Sequence, residues 1–338
     1  MSEPYPLPGL AGSLLVQPLE SEALKGNPLG DPSLRHPLIY LPPGYERTDE
    51  PYPVVFCLSG FTGSSWSFVN YDAFVEPLPR RFERLLREEL CPPAILVMVE
   101  GMTSLGGNQY INSTAVGRYA DHILDELVPH IDAAYRTLGG GHRGVMGKSS
   151  GGYGAIIHAM KHSNVWSAAA CHSGDMYFDY CYLPDFPAAI DTLRDQADLP
   201  SWFAQFRGKP KKESKDVSVL NIVAMAAFYS PNPDAPLGID LPFELPDGQI
   251  REDVWKRWLE HDPVRLAASH AAELKSLKSL FIDCGSKDEF KLHHGARILV
   301  DRLTRLGVPH QYEEFDDGHM GIQYRYDVSL PLLVNALV

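Results

Sequence analysis

The chain is short of cysteine, has no surplus of positive charge and contains no long apolar run. Its five cysteines are odd in number, with no C-x-x-C pair and no spacing suited to zinc. That argues against a disulfide framework and a cysteine-based metal site, and for a reducing compartment. Cys57, Cys171 and Cys284 each fall in an apolar, strand-like run, where a free thiol acts as a small hydrophobe. Lys and Arg total 30 against 43 Asp and Glu, a net charge of −13. Neither nucleic acid nor an anionic membrane is therefore expected as a partner. No stretch approaches the ~18 apolar residues of a membrane span. The opening MSEPYPLPGLAG has no basic or apolar region of the kind a signal peptide needs. The expected location is cytoplasmic. Internal repeats and low-complexity tracts are missing too, and oligomeric state stays open, a homodimer included.

What is present begins with a hydrophobic content of 44% over 338 residues, enough for one large core. GSLLVQ (12–17) and PLIYLP (37–42) suit an opening antiparallel pair. PYPVVFCLSG (51–60) and AILVMVEG (94–101) are continuous apolar runs, the pattern of strands buried on both faces in a parallel sheet. RRFERLLREEL (80–90) has a helical period, and Ile123, Leu124, Leu127, Val128 and Ile131 recur at helical spacing within 118–135. WSAAACHSG (166–174), KSLFIDCG (278–285) and PHQYEEF (309–315) are further strands. Helices are expected over 290–307 and 321–338, the last kinked or broken at Pro331. Strands alternating with helices predict an α/β fold, a mostly parallel central sheet with helices on both faces.

Residues 175–262 break that rhythm with Pro-rich, basic and aromatic-rich pieces. An insertion here leaves from the carboxyl end of a strand, the face where α/β active sites lie. The expected division is a core of 1–174 and 263–338 with an inserted cap or lid over 175–262.

The most informative stretch is GHRGVMGKSSGGYGA (141–155). Gly147, Lys148, Ser149, Ser150 and Gly151 form G-x-S-x-G between an apolar strand and a helix-forming run, the context of a nucleophile elbow. The turn is so tight that its flanks must lack a Cβ. Such a serine needs a base, an orienting acid and two oxyanion donors, in the chain order Ser, acid, His. Of His270, His293, His294, His310 and His319, the last sits in a glycine-flanked loop after a strand (FDDGHMG) and is the expected base. His293 and His294 fall on a helix and are expected to be solvated. Asp288 in CGSKDEF, just past a strand, is the expected acid, with Glu289 its rival. Asp316 and Asp317 read as turn formers, and Asp283 as lying within its strand. The oxyanion donors are expected from the backbone of Ser150 and of Phe61 in LSGFTG. Gly60, Trp66, Tyr110 and Asn112 are candidate pocket residues at the same sheet end, and Lys148 should stand exposed beside the nucleophile.

LSGFTG, GNQYINSTAVGRYADHILDELVPHIDAAYRT, GVMGKSSGGYGA, CGSKDEF and DDGHM occur in the order of an esterase family. That family includes esterase D-type S-formylglutathione hydrolases, enterochelin esterases, feruloyl esterase domains and mycolyltransferases. The chain resembles it over about 35–175 and 263–335. The resemblance implies an α/β-hydrolase fold with no metal and no cofactor. It also implies Ser149, Asp288 and His319 as triad, with Phe61 and Ser150 as oxyanion donors. The expected activity is that of a serine carboxylesterase on a small-molecule ester. An acyltransferase or a thioester or siderophore hydrolase would use the same residues. A binding protein that kept the fold is the non-enzymatic alternative.

Overall fold

The computed structural model describes residues 3–338. Its main sheet has nine strands: β1 (Glu3–Pro4), β2 (Ser13–Val16), β3 (Leu38–Leu41), β4 (Val54–Leu58), β5 (Ile95–Met98), β6 (Arg143–Lys148), β7 (Ala168–His172), β8 (Ser279–Gly285) and β9 (Gln311–Phe315). Their spatial order is β1-β2-β3-β5-β4-β6-β7-β8-β9. The β1, β2, β3 and β5 neighbours pair antiparallel, and every pairing from β5–β4 to β8–β9 is parallel.

Both faces are covered, as the apolar runs require. In β4, Val55 and Cys57 point to the side of α1 (Leu78–Arg87), where they join Phe82 and Leu85 in one core. Phe56 and Leu58 point the other way, toward α2 (119–134) and α3 (Ser150–Lys161). There Phe56 meets Trp166 edge to face with ring centres 5.1 Å apart. The α2 helix contains a π turn at His122–Leu127, just ahead of Pro129. Pro129 has no N–H for the usual acceptor four residues back, and a widened turn absorbs that loss.

Between β7 and β8 the chain forms α4 (Phe186–Leu193), α5 (Leu199–Gly208), α6 (Ser214–Tyr229) and α7 (Glu252–Leu259), with shorter helical turns. Among the described residues this segment adds no strand to the main sheet, which is why its sequence lacked the alternation. It is packed into the body of the protein. Every residue of α6 from Ile222 to Tyr229 is buried, and Tyr182, Phe186, Tyr229 and Trp258 meet largely edge to face beside it. After β8 come α8 (Leu292–Arg305) and α9 (Tyr326–Leu337).

Of the kink or break expected at Pro331, the break does not occur: α9 runs on through it. A proline inside a helix costs about 3 kcal/mol. Leu330, Leu333, Val334 and Leu337 are all fully buried against the sheet. At roughly 1.5–3 kcal/mol for each such side chain, their burial outweighs the proline.

Candidate active site

β6 ends at Lys148, and the chain reverses into α3 within one residue. That residue, Ser149, has φ 59° and ψ −126°, a conformation that L residues rarely adopt. Strain of this kind costs on the order of 1–3 kcal/mol and persists only where the surroundings impose it. Here the Ser149 N–H donates to the His172 carbonyl at 2.9 Å, and the Ser149 carbonyl accepts from the Tyr153 N–H at 2.8 Å. The flanking glycines are demanded by space. A Cβ on Gly147 would lie 2.4 Å from the Gly151 carbonyl, and one on Gly151 would lie 2.1 Å from the Leu58 oxygen.

Two loops at the same sheet end bring the acid and the base together. Nδ1 of His319 lies 2.7 Å from Oδ2 of Asp288, and both residues are buried. Asp288 is itself held: its Oδ1 accepts the Phe290 N–H at 2.9 Å. The loops touch closely because Gly285 leaves room for the Asp317 carbonyl, which a Cβ would approach to 2.4 Å. Glu289, the sequence rival, instead accepts the backbone N–H of His319 at 2.6 Å. Asp316 pairs with Lys287 in solvent, Asp317 accepts the Gly318 N–H, and Asp283 is held by His172 and Arg325. Asp288 alone among these carboxylates meets the His319 ring.

The Phe61 and Ser150 N–H groups make no backbone hydrogen bond among the described residues. Ser150 opens α3, where such donors are left over by helix geometry. The loop carrying Phe61 is braced from behind: Thr62 N–H donates to Gly106 O at 2.6 Å, and a Cβ on Gly107 would strike the Phe61 ring at 2.6 Å. Gly60 brings that loop against the elbow, since a Cβ there would sit 3.2 Å from Cβ of Ser149.

Ser149 stands where two cavities meet, of about 400 and 430 Å³. Phe61, Val217 and Phe290 border both. The first is also lined by Gly60, Arg81, Lys148, His319 and Met320. The second is lined by Ser150, Asp175, Tyr182, Asp185, Ser218 and Asn221. Lys148 is half-buried rather than exposed as expected, and it lines the first cavity. That burial pulls its amine below the ordinary lysine range, against the opposing pull of Asp288, Glu289 and Asp175. Burial pushes the Asp175 carboxyl up, against hydrogen bonds from Gln109 and Tyr182.

Three expected pocket residues line neither cavity. Trp66 turns to the surface and packs edge-on against Tyr5. Tyr110 is buried, and its hydroxyl donates to the Ser59 carbonyl at 2.7 Å, so it braces the loop from inside. Asn112 bonds Asp121 on the outside, at 2.6 Å. His293 is also corrected: it is buried rather than solvated, one turn from Ala296 on the inward stripe of α8. Asp175, Tyr182 and Val217 were missed. A signal did exist for Asp175, which follows β7 directly, just as Asp288 follows β8.

Comparison with known proteins shows the family and the fold. The family profile named Esterase matches residues 33–330. Esterase Rv1288 of Mycobacterium tuberculosis (strain ATCC 25618 / H37Rv) is 24% identical over 285 residues, covering 83% of this chain and 52% of that protein. Esterase MT1326 of Mycobacterium tuberculosis (strain CDC 1551 / Oshkosh) gives the same figures, 24% over 285 residues with 83% and 52% covered. The chain thus spans about half the length of the curated relatives it matches. Among solved structures, a ferulic acid esterase superposes with a TM-score of 0.63 at 19% identity, covering 96% of this chain and 98% of that one. An S-formylglutathione hydrolase from Agrobacterium tumefaciens gives a TM-score of 0.61 at 16% identity, with 99% of each chain covered. These likenesses, with the strand order, show the α/β-hydrolase fold. With most of its length matched by one profile, the chain belongs to the Esterase family.

Proposed function

We infer that the protein hydrolyses carboxylic esters through an acyl-enzyme on Ser149. The observation that carries this reading is the strained serine at the meeting point of two cavities, with His319, already held by Asp288, in the wall of one. Because Nδ1 of His319 is engaged by Asp288, Nε2 is the nitrogen left for proton transfer. Ser149 Oγ attacks the ester carbonyl carbon while its proton passes to Nε2. The carbonyl oxygen becomes an oxyanion facing the free N–H groups of Phe61 and Ser150. The bond to the alcohol oxygen then breaks, and His319 returns its proton to that oxygen. Water repeats the sequence on the acyl-enzyme and releases the acid and Ser149. Residues 175–262 act as a cap in this reading, with α6 supplying Val217 to the wall of both cavities.

The test is turnover of nitrophenyl esters from acetate to octanoate by wild type and Ser149→Ala, alongside labelling by an organophosphonate probe. Wild type should turn over a short ester and take the label, and the alanine variant should fall to background in both. Equal activity in the two proteins would show that another residue is the nucleophile. A folded wild type that neither hydrolyses nor labels would remove the esterase reading.

A further inference from the structure

The two cavities at Ser149 are not equivalent. The group that leaves must lie within reach of the acid that protonates it. His319 lines the first cavity and not the second. On the esterase reading above, the alcohol therefore sits in the first cavity and the acyl chain in the second.

The second cavity is poorly suited to a plain alkyl chain. Asp175 stands in its wall with only 7% of its surface exposed. Its Oδ2 accepts from Tyr182 at 3.0 Å, Gln109 at 3.2 Å and Ser150 at 3.3 Å. Its Oδ1 accepts no hydrogen bond among the described residues. Asp185, half-buried in the same wall, has neither a side-chain hydrogen bond nor an ion pair among them. Lys, Arg and His are missing from this lining among the described residues; Lys148 lines the other cavity, and Asp175 is the weakest of the three carboxylates that act on its amine. An ionised carboxylate can only accept hydrogen bonds. An alkyl chain would strip water from Asp175 and offer nothing in return, a penalty that favours substrates carrying the matching donor. With two carboxylates and no lining cation, a cationic donor offsets more charge than a hydroxyl does.

We propose that the second cavity is an acyl subsite for chains that end in an ammonium group, with Asp175 as the specificity-determining contact. The experiment measures kcat/KM for isosteric pairs of nitrophenyl esters: 3-aminopropionate against butanoate, and 6-aminohexanoate against heptanoate. Two lengths let the ammonium reach Asp175 or Asp185, and 3-hydroxypropionate serves as the neutral donor. At one length the amino ester should exceed its alkyl isostere by about tenfold, the value of a hydrogen bond to a charged group. Asp175→Asn should bring that ratio close to one, whatever its absolute rates. Asp185→Asn should lower it too, and it carries the test if Asp175→Asn does not fold. A wild-type ratio at or below one at both lengths overturns the proposal. So does a ratio that survives in both variants, or a hydroxy ester favoured as strongly as the amino ester. Turnover of the alkyl esters tells the two readings apart. If wild type hydrolyses them without preferring amines, only the acyl subsite falls; if it hydrolyses none of the esters, the esterase reading falls with it.

Discussion

His172 Nδ1 lies 2.7 Å from Asp283 Oδ1, and the far nitrogen of the same ring lies 2.8 Å from Ser329 Oγ. These are the residue types proposed for catalysis, arranged a second time in the same chain. None of the three exceeds 1% exposure, so no substrate can reach them. Their work is mechanical. They tie β7 and β8 to α9, and the carbonyl of His172 is the one that receives the Ser149 N–H. Ser329→Ala should lower the unfolding free energy by about 1–2 kcal/mol, as one buried hydrogen bond is lost. Organophosphonate labelling should remain. Asp283→Asn should be worse, about 1.5–3 kcal/mol, because His172 and Arg325 both lose a buried carboxylate, although Arg325 keeps Glu313. Denaturant unfolding with labelling on the same samples decides the matter. A folded Ser329→Ala that no longer labels would move Ser329 into the machinery.

Replacing Asp288 by Asn should separate the acid from its neighbours. The amide can donate to Nδ1 of His319 and so hold the wrong tautomer, a defect that reduces kcat by about 10³–10⁴-fold in enzymes of this type. Asp316→Asn removes a carboxylate only three positions from His319, but that side chain is 81% exposed and pairs with Lys287 in solvent. It should change kcat less than about twofold, since exposed ion pairs contribute little. The kcat of the two variants on one nitrophenyl ester checks this. Similar losses in both would mean that the loop as a whole, rather than Asp288, orients the imidazole.

The sequence was most readable where sterics or burial leave few solutions. Val54–Leu58 and Ile95–Met98 had to be interior strands, because a run apolar on both faces fits little else in a parallel sheet. Gly147 and Gly151 had to flank a tight turn, and the contacts at both positions give the reason. Asp288 and His319 followed from their places just after strands. Loop direction was not readable, because no periodicity governs it. Trp66 and Tyr110 lie on the expected loops but turn outward and inward, away from the cavities. Nor was the wall built by α6. Which of its residues meet a cavity depends on how the helix docks, and its sequence is apolar almost all round from Val219 onward. At Pro331 the helix does not break, since a local rule lost to the burial of four neighbours.

Glycine substitutions distinguish space from flexibility. A Cβ on Gly151 would meet three backbone atoms, Leu58 O at 2.1 Å, Leu58 C at 2.7 Å and Ser59 O at 2.9 Å. Backbone atoms cannot rotate away as a side chain can, so Gly151→Ala must displace either β4 or the elbow. Overpacking of this kind costs typically about 1–3 kcal/mol, and more where the backbone resists. Gly140→Ala is the contrast. Its Cβ would meet only the tip of Arg143, at 3.8 Å. There the loss of unfolded-chain freedom should dominate and leave stability unchanged or raised by about 0.4–1 kcal/mol. Thermal unfolding of the two variants gives the answer. A neutral Gly151→Ala would mean that the elbow is looser than its contacts require.

The pH dependence of stability should carry the mark of two histidines, His158 buried and His261 half-buried. His158 is buried in α3 and takes the Trp166 indole N–H on Nδ1 at 3.1 Å. Its proton therefore sits on Nε2, which donates to the Tyr110 carbonyl at 2.8 Å. Protonating Nδ1 would break the bond to Trp166, and burial already disfavours the charged ring. The His158 pKa is pulled from the usual 6.5 to about 4, and burial pulls that of His261 to about 4 as well. Between those limits the unfolded chain binds protons that the folded chain refuses. Stability therefore rises with pH across this window, by at most about 1.4 kcal/mol per pH unit for each histidine. The contribution is complete above 6.5 and is lost as pH falls toward 4. Carboxylates also titrate near the lower end, so the informative quantity is a difference. Urea unfolding of wild type and His158→Gln from pH 7.5 to 5 should show wild type losing its advantage steadily below 6.5. A gap that stays constant over that range would mean that His158 is protonated as easily in the folded protein as in the unfolded chain.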